Sequence, residues 1–431
     1  MSRAAPYPQR LADLSERLVH AQQPIRVLDA VAWDDAIEAR VIASGFRELP
    51  AVDADYYRQR HPIPFDAAEK RAEFAALRGD IAHDLGADDA LGQILQRNCR
   101  EYETVVAMLE ARGTPDFYRY SRELYGSPRD HFMDERTTVM ELGEVLNEVL
   151  SGIDDAQLGV AYPRVLPADR IVEALNERFG DYFADHRVHA RLDDGIVSDA
   201  AAGADYVKVR RDARFSERDL NLLEVHEGWV HIATSLNGQC QRDARWLAKG
   251  PPCVTPIQEG LAVLMEVFTF NMTPDRARKI NNRILACAMA EEGADFLQVC
   301  GFYRDRGYDE RECLQHARRV FRGGVVGGGA PFTKDISYGK GFVMLYNFIR
   351  TAIRYGRPEV IPFLFTGKVT LEDVPVLWRY HQEGIIDAPR YVPPQFRDLN
   401  GLAVWMAFSN FFNRMDLATL QERNRSLLER T

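Results

Sequence analysis

The tightest constraint on this chain is a helix whose two histidines carry a spacing that an ordinary α-helix cannot use for chelation. Ser216-Glu217-Arg218-Asp219 is a capping box. The helix it opens carries His226-Glu227-Gly228-Trp229-Val230-His231. Two imidazoles that bind one ion from a helix normally sit at i and i+4, one above the other. At an interval of five, an ideal helix of 3.6 residues per turn sets them about 140° apart. A single π-type turn absorbs the extra residue and brings them together, and such distortions tend to mark functional sites. Gly228 lies inside the interval and eases the distortion. The sequence therefore predicts a helix over 216–237, widened between His226 and His231 and stopped at Gly238.

Thr255-Pro256-Ile257-Gln258 reads as a second helix start, with a threonine cap, proline at the first position and glutamine three residues on. Glu259 then falls in the first turn of a helix that only a loop separates from the first. Two imidazoles and a carboxylate form a zinc ligand set, and a catalytic site keeps one position open for water. His226, His231 and Glu259 are thus the expected ligands and Zn(2+) the expected ion. Glu227, beside the first ligand, is placed to take a proton from the attacking water and hand it to the leaving amine. Glu266, seven residues beyond Glu259, and Glu224 are candidates to accept a histidine N–H behind the ion. Gly260 would let the two helices pack closely. His186 and His189 have no carboxylate partner in sequence and read as surface residues. His316 and His381 are isolated and read as core or surface.

Net charge is −10 without a basic run, which argues against nucleic acid or an anionic membrane as partner. No apolar run approaches the roughly 18 residues of a membrane span. Met1-Ser2-Arg3-Ala4-Ala5-Pro6 is not followed by an apolar signal core, so the cytoplasm is the expected location. The six cysteines are scattered and form no C-x-x-C pair. They read as reduced core thiols, with a Cys240–Cys253 pairing left open.

With 431 residues, 46% hydrophobic and 27% charged, the chain is long enough for two or three domains of ordinary globular composition. A helical N-terminal region over 1–165 and a catalytic domain over 166–431 are expected. The fold class is mainly α with a small β-sheet (α+β). Helices are expected at 71–85, 94–112, 135–151 and 168–179, with a turn at 124–128 and a linker at 163–167. His189-Ala190-Arg191-Leu192-Asp193 and Tyr206-Val207-Lys208-Val209-Arg210 alternate as strands do, with turns at Asp194-Gly195 and over 200–203. An edge strand here could pair with an extended peptide. The glycine-rich run from Arg322 to Pro331 lacks the Gly-Lys-Ser/Thr ending of a phosphate loop. It leads into a helix carrying Tyr338 and Arg350.

The helix word His-Glu-x-x-x-His, then Asn237-Gly238, Gln258-Glu259-Gly260-Leu261-Ala262 and Gly329-Ala330-Pro331-Phe332-Thr333-Lys334-Asp335, in that order, resemble one family. It is the family of the microtubule-associated tyrosine carboxypeptidase, whose bacterial members are often labelled QEGLA-motif proteins. The likeness extends over roughly residues 50–400, including Arg112-Gly113-Thr114 and Leu124-Tyr125-Gly126. It implies a zincin-like metallopeptidase with His226, His231 and Glu259 on zinc and Glu227 as the catalytic carboxylate. The animal members remove a C-terminal tyrosine from a protein tail. That substrate does not carry over, because Gly228-Trp229-Val230 stands where a common family form has a small residue and threonine before the second histidine. Trp229 is expected to reshape the pocket, and nothing in the sequence identifies tubulin as a partner.

A carboxypeptidase must bind the free α-carboxylate of its substrate, for which arginine is the bidentate partner and lysine a point charge. Lys334, Arg350 and Arg322 are the candidates, and Tyr338 could donate to the oxyanion. The expected function is a zinc-dependent carboxypeptidase acting on peptide or protein C-termini. An aminopeptidase or endopeptidase using the same site stays open, as does a metal-binding regulatory protein of the same fold with little turnover. Glu227 weighs against the last, since a binding module has no use for a base beside a ligand.

Overall fold

The computed structural model describes residues 5–159, 162–184, 187–196 and 198–428. His186 lies outside them. Helices dominate, with two small sheets, as the mainly α, α+β expectation has it. The early helices begin where carboxylates or hydroxyls cap them. Asp66 caps Ala67–Leu85, Asp89 caps Ala90–Glu110, and a Thr138–Glu141 box opens Val139–Ser151. The first two therefore start four residues ahead of the apolar periodicity. The third starts four residues late, because Glu135 sits at φ 56° in the preceding turn.

Ala90–Glu110 buries Leu95, Cys99, Tyr102, Val106 and Leu109 along one stripe. That stripe belongs to a core in which Leu14, Phe74 and Tyr102 are continuous with Trp246, Leu264, Leu345 and Phe365. Helices before residue 165 thus share their main core with those after it. A second core packs Phe179, Val207 and Phe215 against Ile232 and Leu236, seating the sheets on the back of the histidine helix.

Strand β1 (Leu166–Pro167) pairs antiparallel with β5 (Arg214–Phe215), so the expected linker ends in a strand. The larger sheet has the order β2 (His189–Asp193), β4 (Tyr206–Arg210), β3 (Ala200–Ala202). The first pair is parallel and the second antiparallel, with Ala200 opposite Val209 and Ala202 opposite Val207. Ala200–Ala202 is an edge strand where the sequence predicts a turn. Alanine has little strand propensity, and the segment is extended because β4 on one side and a carboxylate on the other take up its backbone. No disulfide joins Cys240 to Cys253. Among the described residues no helix is long and apolar enough to cross a membrane.

Candidate metal centre and its cleft

The histidine helix changes its hydrogen-bonding pattern twice: α over Glu217–Leu223, π over Glu224–Ile232, α again over Ala233–Cys240. The expected widening is present and spans nine residues. A π-turn bonds i to i+5, so the five-residue interval brings both rings to one face, with centroids 4.9 Å apart. Gly228 does more than relax the backbone, because a Cβ there would lie 2.6 Å from the Phe179 ring. Gly238 does not stop the helix. The backbone of Leu247 and Ala248 crosses it within 2.6 Å of where a Cβ would stand.

Glu259 comes from the helix Thr255–Phe268. Thr255 makes no capping bond, because a 3-10 turn over Pro252–Val254 runs directly into the helix. Gly260 faces the helix Ser337–Arg354 rather than the histidine helix, with Gly341 backbone 2.2 Å from a would-be Cβ. That close crossing holds the Glu259 turn against the element bearing Tyr338.

The three side chains converge. Glu259 Oε2 lies 3.8 Å from His226 Nε2 and 3.7 Å from His231 Nε2. Donors about 2.0–2.1 Å from a tetrahedral zinc stand roughly 3.4 Å apart, so the set needs only a small contraction to close on an ion. Glu259 Oε2 is buried and has no hydrogen-bond partner, which a carboxylate oxygen avoids unless something cationic meets it. These three form the only metal-competent cluster among the described residues. Burial pushes the Glu259 carboxyl up, but Lys334 and the two histidines outweigh it and hold it well below the carboxylate range.

Behind the three side chains, Glu266 is fully buried and sits 2.6 Å from His226 Nδ1. It also accepts from Arg276 Nη2 at 2.9 Å and Nε at 3.2 Å. Burial opposes its ionisation, yet Arg276 and His226 hold it down at about 2. An ionised Glu266 can only accept, so the proton stays on Nδ1 and the Nε2 lone pair faces Glu259. Glu224 has another partner: it accepts from Arg178 at 2.6 Å and reaches neither histidine. Trp229 turns away from the cleft and stacks on Tyr182 at 5.7 Å, so the bulk expected in the pocket goes into packing.

Glu227 is buried, with Oε1 3.9 Å from His226 Nε2. Its Oε2 accepts the Ala202 N–H at 2.8 Å, fixing the carboxylate between the metal face and β3. Lys368, unmarked by any motif, donates to the His231 carbonyl at 3.1 Å and to Gln258 Oε1 at 2.9 Å. It ties the π segment to the residue preceding Glu259, and burial pushes its ammonium down to about 8.

The site opens into a cleft of about 940 Å³ whose walls include Ala200–Ala202, Tyr338, Lys334 and Arg322. Lys334 Nζ is 3.4 Å from Glu259 Oε1, committed to that carboxylate. Arg350 lies outside the cleft, over the Tyr346 ring and bonded to Asn347. Tyr338 stands under the Arg283 guanidinium at 4.5 Å, and burial raises its phenol. Sequence reasoning missed Arg276, Arg283 and Arg319. A signal was present: Arg276 and Arg283 are seven apart on Pro274–Glu291, and Arg319 and Arg322 three apart, each pair on one face.

A family model described as microtubule-associated tyrosine carboxypeptidase matches residues 39–414. A search of curated proteins finds no match. A solved structure from Colwellia psychrerythraea, described as a candidate lipoprotein, aligns at 11% identity with a TM-score of 0.39, covering 92% of this chain and 75% of that one.

Proposed function

The chain belongs to the microtubule-associated tyrosine carboxypeptidase family, and on that premise we propose that it is a zinc-dependent carboxypeptidase that removes the last residue of a peptide or protein. Carboxypeptidase-type activity belongs to the family as a whole. Zinc, the C-terminal mode and a zincin-like relation of edge strand to metal helix are the proposal.

One observation carries it: an unpartnered, buried Glu259 oxygen faces two imidazole nitrogens while Glu227 is held beside them by β3. Zinc held by His226, His231 and Glu259 would polarise the scissile carbonyl and acidify the attacking water. Glu227 takes that water's proton and passes it to the leaving amine. Tyr338 donates its hydroxyl to the oxygen on which charge develops. β3 offers an extended backbone along which a substrate strand can lie. Of the three cations considered for the terminal carboxylate, Arg322 is the one that lines the cleft and forms no ion pair among the described residues. A cationic inner wall suits a C-terminus, where an aminopeptidase would need carboxylates to hold an ammonium.

The test is to load the protein with zinc, quantify the metal, and read both ends of a peptide library by mass spectrometry for wild type and Glu227→Gln. Single-residue trimming from the C-terminus should fall by about 10²–10⁴-fold in the variant at unchanged metal content. Bound metal without Glu227-dependent cleavage would instead favour a regulatory metal-binding protein.

A further inference from the structure

The helix Asn400–Phe412 is apolar on both sides. Leu402, Met406 and Ser409 follow one another at intervals of four and three, and all are buried. That side rests on the helix Ser337–Arg354, where Met406 shares a core with Leu345 and Ile349 and Ser409 meets the Tyr346 hydroxyl. The opposite side carries Val404, Trp405, Phe408, Phe411 and Phe412, each between 54% and 59% exposed. No residue of the helix is charged. A helix that is hydrophobic all round is ordinarily buried. At 13 residues this one is too short to cross a membrane. A helix lying in a lipid surface would carry lysine or arginine on its polar side, and this one has neither. A protein surface is what fits it.

An aromatic side chain has about 150–250 Å² to bury, so the four rings and Val404 leave roughly 500 Å² of apolar surface open, near the upper end for a monomer. A second helix, Leu417–Leu428, follows directly. Among its described side chains none is buried, and only Leu420 is partly covered. A helix of 12 residues is marginal in water without something to pack on. Leu417, Leu420, Asn424 and Leu427 recur at intervals of three, four and three, the seam of a helix that meets another helix. With Met415 and these leucines, the open apolar area approaches the roughly 800 Å² that each partner gives to a stable interface of standard size. Asn424 interrupts the seam with an amide, which both donates and accepts. A second copy supplies its natural partner, another Asn424, and such a polar position fixes register.

We infer that this face is the interface between two copies of the chain related by a two-fold axis, the helices Asn400–Phe412 and Leu417–Leu428 of each protomer packing on the same pair of its partner. The inference is independent of the carboxypeptidase reading. Because Asn400–Phe412 is seated on Ser337–Arg354, the contact braces the back of the helix that presents Tyr338 to the cleft.

Sedimentation equilibrium on the full chain tests it. Wild type should show twice the chain mass at micromolar concentration. Phe408→Glu and Leu427→Glu should each raise the dimer dissociation constant at least about 30-fold, the effect of losing one central hot-spot side chain. Both positions are more than half exposed in the single chain, so neither variant should lower the thermal midpoint of protein diluted to the monomer. A second measurement avoids these substitutions. Trp405 emission, taken as the difference between wild type and Trp405→Phe, should shift to the blue as concentration rises and the ring is covered. A wild type that stays monomeric at high micromolar concentration overturns the inference, as does a dimer that survives both glutamate variants. Co-sedimentation of monomer with phosphatidylcholine vesicles, lost in Phe408→Glu, would assign the face to lipid and also overturn it.

Discussion

At the scale of single residues, the site is a chain of commitments in which each polar group has one task. Glu266 Oε1 meets both His226 Nδ1 and Arg276 Nη2 while Oε2 accepts from Arg276 Nε, which fixes the imidazole tautomer that a metal would require. Glu266→Gln keeps the shape but loses the charge, and zinc affinity should drop about 10–100-fold in a competitive chelator titration. Unchanged affinity would mean that the ring is oriented by packing alone. Glu224 and Glu266 both looked able to take this role in sequence. Arg178, brought in from the helix Ala168–Tyr182, decides between them by claiming Glu224. Lys334 was expected at the substrate and instead neutralises Glu259, a pairing across 75 positions that local pattern cannot reveal.

At the scale of elements, the widened helix is the device that makes a five-residue spacing useful. Its existence followed from the spacing alone, but its length did not. Phe179 beneath Gly228 and Lys368 at the His231 carbonyl support it from other segments. The Glu259 helix depends on its crossing with Ser337–Arg354, where Gly260 and Gly341 let two backbones touch. Gly260→Ala should force the helices apart and cost about 1–3 kcal/mol, seen as a lower urea midpoint, with zinc affinity falling in step. A normal midpoint with weakened zinc binding would place the strain in the ligand turn alone. β3 shows the opposite case: its alanines carry no strand signal, yet the Ala202 N–H holds the Glu227 carboxylate.

At the scale of the whole molecule, the buried charges around the cleft bear on acid stability. His316 stacks on Tyr303 at 4.7 Å, and its Nδ1 has no acceptor. Burial, then Arg283 and Arg319, push its pKa from 6.5 down to about 3. Between those values the unfolded chain takes up a proton that the folded chain refuses, so stability falls as pH drops from about 6.5 towards 3. His316→Phe removes this contribution. In chelator-treated protein, the difference in unfolding free energy between variant and wild type should grow in the variant's favour as pH falls through that window. A difference independent of pH would mean that the ring gains an acceptor or water in solution. Arg283 and Arg319, which keep His316 neutral, also line the cleft, so the acid response and the site share one set of buried charges.

The sequence by itself determined what is local: caps, helical stripes, the need for a π-turn, and the placing of Glu227 beside His226. Each depends on residues within one or two turns of each other, where backbone geometry alone sets the relation. Only the tertiary structure decided what each cation is for. Electrostatic partners are set by which distant elements the core brings together, and burial makes an arginine's charge costly unless a carboxylate faces it. Lys334, Arg350 and Arg322 were equivalent as residues in a sequence. The fold set the first against Glu259, left the second outside the cleft, and put the third into its wall, as it did Arg283.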